Sequence, residues 1–150
     1  MKLKLLFSFI LILVILAGCD SGKKITINDI EKVKLELVEK ETLKEGISYS
    51  IKLINESDYV IKQNNVFVSF PIKNGESAYK GNKYKVEANG NKLDIQPGEN
   101  ITLHVFMPYE GLGDKSVFGL DNPHVQLIGF MNAVDGENQF STGGDLIKDH

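Results

Sequence analysis

The sequence of 150 residues contains no arginine, no tryptophan and one cysteine. Arginine supplies the planar, five-donor fork that grips phosphates and guanine edges. Every one of the 17 basic residues is a lysine, against 20 acidic residues. An acidic chain without arginine is a poor candidate for binding nucleic acid or anionic headgroups. One cysteine excludes any disulfide within the chain. Three histidines, His104, His124 and His150, are too few and too far apart in sequence to form a zinc-ligand pattern.

Long apolar runs are also scarce, and the exception lies at the start. Residues 5–16, "LLFSFILILVIL", are apolar except for Ser8 and follow "MKLK". Lysines, a short apolar run and then small residues is the layout of a secretory signal peptide. A spanning helix needs roughly 20 apolar residues, more than this run provides. Residues 1–18 are therefore read as targeting and set aside from the fold. Without them, 15 lysines face 20 acidic residues, a formal net charge of −5.

The single thiol, Cys19, sits between that run and the polar stretch "DSGKK". Nothing in those polar residues builds a core around it, and a leader of this kind holds no base to activate a nucleophile. The tetrapeptide Leu16-Ala17-Gly18-Cys19 resembles the lipobox of bacterial lipoproteins. That resemblance implies cleavage before Cys19, a diacylglycerol on its sulfur and an acyl chain such as palmitate on the freed amino group. Each buried acyl CH₂ contributes about 0.8 kcal/mol, so several chains hold far more firmly than one. The implied location is the extracytoplasmic face of the cell membrane, with residues 19–25 as a lipidated tether.

Residues 26–131 read as strands. In "ISYSIKLIN", Ile47, Tyr49, Ile51 and Leu53 alternate with polar residues, the period of a half-buried strand. "NITLHVFMP" repeats the pattern with Ile101, Leu103, Val105 and Met107, and "NVFVSFPI" with Val66, Val68 and Phe70. "HVQLIGFMN" is apolar in both phases, as expected of a strand covered on both sides. Asn89-Gly90 predicts a hairpin and Pro97-Gly98 a type II turn. "INDIEKVKLELVEKETLKEG" is ambiguous: it alternates over residues 33–37, yet its Glu and Lys favour helix. Strand is the preferred reading. Residues 132–150 read as a polar tail in which "ENQFS" has the makings of an edge strand.

About seven short strands separated by turns predict an all-β, immunoglobulin-like antiparallel β-sandwich. "YSIKLINES" followed by "LDIQPGENITLHVFMP" resembles the small immunoglobulin-like domains of Gram-positive lipoproteins. Only the architecture carries over, because the paired cysteines and buried tryptophan of antibody-type domains are missing. The resemblance implies an envelope-facing module without known catalysis.

A search for chemistry finds little. There is no G-x-S-x-G, "GLG" at 111–113 lacks a strand–helix setting, and "DGEN" at 135–138 lacks the ligand alternation of a calcium loop. No metal or cofactor is expected. The stretch "PYEGLGDKSVFGLDNP", residues 108–123, is long for a connection, and Tyr109 and Phe118 make it a candidate binding loop. The competing reading is a connector whose "KSVFG" forms a short edge strand, with Val117 or Phe118 plugging the end of the sandwich. The sequence thus reads as a membrane-anchored, non-enzymatic binding or interaction module with an envelope protein or cell-wall partner. An accessory or inhibitory subunit of an envelope enzyme or transporter is the alternative, and a small hydrolase the least favoured.

Overall fold

A computed structural model describes residues 24–75 and 78–146. The segment read as a signal peptide, residues 1–18, lies outside these residues, as do Cys19 and His150. One helical turn, α1 (Ile27–Glu31), opens the described chain. Thr26 caps it, its main-chain N–H donating to Asp29 Oδ2 at 3.0 Å while the Asp29 N–H donates back to Thr26 Oγ1 at 3.4 Å. Beyond it the ambiguous segment is strand β1 (Val33–Thr42), so helix is confined to that first turn.

The strands that follow are β2 (Gly46–Asn55), β3 (Ile61–Ser69), β4 (Ile72–Lys73), β5 (Tyr79–Lys80), β6 (Val86–Glu87), β7 (Asp94–Ile95), β8 (Asn100–Pro108), β9 (His124–Met131) and β10 (Gln139–Asp145). One sheet has the order β1-β2-β8 and the other β10-β9-β3-β6, with β7 also paired to β3. Every pairing between these strands is antiparallel. The chain crosses from one sheet to the other after β2, between β7 and β8, and after β8. This is the connectivity of an immunoglobulin-like sandwich.

The period-two pattern explains the core. Ile47, Tyr49, Ile51 and Leu53 of β2 face Val66, Val68 and Phe70 from β3 and its end, and Leu103, Val105 and Met107 complete the layer; all are buried. Burying one such aliphatic side chain contributes about 1.5–3 kcal/mol. In β9, Val125 and Leu127 point inward while Ile128 and Phe130 are half-buried on the opposite face.

Two bulges adjust the strands. Val38 is the extra residue between the pairs Leu37–Ile51 and Glu39–Ser50, and its side chain is turned to solvent. In β3, Gln63 and Asn64 together oppose Gly129, with Gln63 at φ 47°. That bulge turns Asn64 into the interior, where its Nδ2 donates to the Lys92 carbonyl.

Two expectations need correction. Asn89-Gly90 does not close a hairpin: β6 and β7 do not pair with each other, and both lie along β3. Between them Asn89 exchanges main-chain hydrogen bonds with His104 of β8, at 2.7 and 2.9 Å, so the edge segment touches both sheets. The folded body also runs past residue 131. Strand β10 pairs along the whole of β9, and Phe140 and Leu146 join the core. The Pro97-Gly98 turn forms as expected, with Glu99 N–H donating to the Gln96 carbonyl at 3.0 Å and Gly98 at φ 78°.

Candidate functional site

Loop 108–123 leaves the sandwich at the end of β8 and is tied to the segment that follows β3. Within it Asp114 accepts from the Ser116 N–H at 2.9 Å and caps a short 3₁₀ turn, Lys115–Val117. Those bonds from Ser116 hold the Asp114 carboxyl below its usual range. The Lys115 ammonium stands 4.2 Å from the centre of the Tyr109 ring.

Phe118 forms an antiparallel bridge with Ile72, and the Gly119 N–H donates to the Pro71 carbonyl at 2.8 Å. Lys73 Nζ donates to the Ser116 carbonyl at 2.9 Å. Tyr109 and Phe118 are both half-buried against the core. "KSVFG" therefore forms a helical turn and one bridge in place of an edge strand, while Val117 stays exposed. Physically, the loop braces the β4–β5 hairpin.

What the hairpin presents is a ring. Tyr79 lies against Gly119, where a Cβ would meet its Cε1 at 2.7 Å, and 51% of the residue remains exposed. Asn82 fixes the descending arm, its Nδ2 donating to the Phe70 carbonyl at 3.1 Å and its Oδ1 accepting from the Tyr84 N–H at 3.0 Å. The excursion from Pro71 back to β6 thus stands beside the outer face of the second sheet and walls off a groove of about 370 Å³.

The floor of that groove comes from β3 and β9. Phe67 and Gln126 are neighbours across the strands, and Lys85 reaches over both. Its Nζ is 5.8 Å from the Phe67 ring centre and donates to Gln126 Oε1 at 2.7 Å. Gln126 Nε2 in turn donates to Ser141 Oγ at 3.2 Å. Lys80 also lines the groove, as do His124 and Asp145, which stand 3.9 Å apart. A second groove of about 350 Å³ runs between the edges of β1 and β10, lined by the Glu31–Glu36 region and by Thr142, Gly143 and Gly144.

The other sequence candidates do not converge. His104 sits on the outer face of the first sheet, 3.2 Å from Ser50 Oγ, and His124 lies on the second. Among the described residues no group of three metal-ligating side chains forms. Asp135 of "DGEN" accepts from the Glu137 and Asn138 main-chain N–H groups at 3.1 and 3.0 Å, a self-contained polar turn. The Phe67–Lys85 groove escaped the sequence reading. Its signal is "YKGNKYK", residues 79–85, in which two tyrosines and three lysines interleave.

No protein-family model matches the sequence, and no curated protein matches it significantly. Among solved structures, the chain is similar to the archaellum periplasmic stator protein FlaG from Sulfolobus acidocaldarius, at 11% identity and a TM-score of 0.35, covering 75% of this chain and 98% of that one. It is also similar to the archaellum periplasmic stator complex of FlaF and FlaG from the same organism, at 14% identity and a TM-score of 0.36, covering 84% and 93%. Both TM-scores lie below 0.5, and no property of these proteins transfers to this chain.

Proposed function

We propose that this protein is a lipid-anchored, non-enzymatic interaction module on the extracytoplasmic face of the cell membrane, attached through Cys19. The reading of the anchor rests on Leu16-Ala17-Gly18-Cys19 behind a short apolar run. What supports the interaction reading is the relation between the two ends of β1. Strand β1 begins at Val33, and toward its far end, at Thr42, it lies beside loop 108–123, where Lys40 Nζ is 3.5 Å from Asp121. At about 3.3 Å per residue, β1 is about 30 Å long. An anchor at the amino-terminal side therefore leaves the braced loop and hairpin at the opposite end of that strand. A rigid sandwich presenting such a loop at one end is the usual arrangement for recognition.

The anchor is tested by labelling cells with an alkyne fatty acid and fractionating them. The full chain is expected in the membrane fraction with label. Cys19→Ala should lose the label and appear in the soluble fraction or medium. Unchanged fractionation and labelling of that variant would overturn the anchor. The interaction half is tested by crosslinking the native protein in its own membrane and asking whether one partner is recovered whose yield drops when the hairpin variant Tyr79→Ala is used.

A further inference from the structure

We propose that the groove over Phe67 and Lys85 binds an acidic glycan, with Tyr79 stacking on a sugar ring and Lys80 and Lys85 pairing with its carboxylate or phosphate groups. This rests on the reading of the protein as an interaction module and names the ligand class of one of its surfaces.

Three observations meet at this place. The first is shape: about 370 Å³ lies in the lower part of the range for small-ligand clefts, about 300–1,000 Å³. The second is a ring that is both exposed and fixed. Tyr79 is backed by Gly119 and half exposed, so its outward face is free to take a flat apolar partner. A sugar ring offers such a face on one side and hydroxyls around its rim, and Gln126 and His124 stand at the groove to meet those hydroxyls.

The third observation is charge. Residues 19–150 carry a net charge of −5, yet residues 71–85 hold four lysines and one acidic residue. Lys80 and Lys85 line the groove together with one acidic residue, Asp145, leaving a positive surplus where the body is negative. Lysines act as point charges and do not demand the planar, two-pronged acceptor that arginine prefers. They suit single anionic groups spaced along a sugar chain. A nucleic acid would bring a dense line of phosphates against an acidic body. An acidic peptide would satisfy the lysines and leave the exposed Tyr79 face without a ring.

Binding to the full chain in detergent micelles, measured by calorimetry, tests this. The probes are hexagalacturonate, pentamannose 6-phosphate, maltohexaose, hexaglutamate and a six-residue oligothymidylate. At least one acidic sugar is expected to bind saturably, at least tenfold tighter than the other three probes, and the tighter of the two identifies the charged group. Tyr79→Ala and the double variant Lys80→Ala/Lys85→Ala should each weaken it tenfold or more, and Tyr79→Phe should restore it. Thermal melting checks that each variant is folded. The proposal is overturned if neither acidic sugar binds, or if maltohexaose, hexaglutamate or the oligothymidylate binds as well. It is equally overturned if folded Tyr79→Ala binds unchanged. Any of those outcomes leaves the recovery of a crosslinked partner as it stands, so failure of the glycan assignment and failure of the interaction reading are separable.

Discussion

The Tyr79 ring lies over Gly119, forty residues further along the chain, with no room between them for a Cβ. This contact fixes the direction in which the hairpin presents its ring. Gly119 itself needs no unusual backbone angle, so the demand there is purely one of space. Gly119→Ala is therefore expected to tip Tyr79 away and to cost about 1–2 kcal/mol, in the range for overpacking. Urea denaturation gives the stability change. Hydrogen exchange at the Gly119 and Asn74 amides, which donate to the Pro71 and Ala78 carbonyls, shows whether the hairpin has loosened. A variant as stable as wild type, with unchanged Tyr79 resonances, would remove the contact from this account.

Asn55 is the second fixed point, at the end of the sandwich where β2 stops. Fully buried, its Nδ2 donates to the carbonyls of Tyr59 and Ile95 at 2.8 and 3.0 Å, and its Oδ1 accepts from Ser57 N–H and Oγ–H at 3.1 and 2.6 Å. Asn55→Ala strands these partners away from water, at about 1–3 kcal/mol for each buried polar group left unpaired. A loss of about 3 kcal/mol or more is expected in a denaturant titration. A loss under 1 kcal/mol would mean that water replaces the side chain at little cost.

The fold was legible where one residue in two settles the matter. Ile47, Tyr49, Ile51 and Leu53 have a single buried phase, and β2 has that phase in the structure. Asn89-Gly90 pointed to a hairpin that does not form: Gly90 has a positive φ, 98°, but a dipeptide does not say which strand it will meet. The partner proved to be His104 on the opposite sheet, a long-range pairing. Loop 108–123 was ambiguous for a related reason. Its aromatic residues read either as packing or as recognition, and Ile72, which bridges Phe118, lies far away in sequence. The groove was invisible because Phe67 and Gln126 become neighbours only when β3 pairs with β9.

Gly90 and Gly98 offer a paired test, since both have positive φ but only one is crowded. A Cβ on Gly90 would come within 2.9 Å of the Thr102 carbonyl oxygen, whereas one on Gly98 would meet nothing within 4 Å. Gly98→Ala should cost about 1 kcal/mol, the strain of the left-handed region alone. Gly90→Ala adds a clash with the β8 backbone and should cost about 1–3 kcal/mol more. Equal midpoints in urea would show that the edge segment shifts freely away from β8.

Tyr49 gives a prediction in pH. Its ring is fully buried in β2, and among the described residues its hydroxyl has no hydrogen-bond partner. Burial, with Tyr109 and Asp121 nearby, pushes its ionisation well above the usual tyrosine range. A hydroxyl with no partner adds no hydrogen bond to offset its lost hydration, so Tyr49→Phe should leave stability at pH 7 unchanged or raise it by up to about 1 kcal/mol. The sign with pH follows from proton counting. The contribution of Tyr49 is fully present below about pH 10, where unfolded tyrosine ionises, and is lost as pH rises from there toward the folded value. Above pH 10 the unfolded state binds fewer protons than the folded one, and wild-type stability falls by up to about 1.4 kcal/mol per pH unit from this group. Urea titrations at pH 7, 9 and 11 should therefore show the advantage of Tyr49→Phe widening only at pH 11. A variant weaker than wild type by more than about 1 kcal/mol at pH 7 would reveal a partner for the hydroxyl, and a gap that stays constant to pH 11 would show that the buried ring ionises like an exposed one.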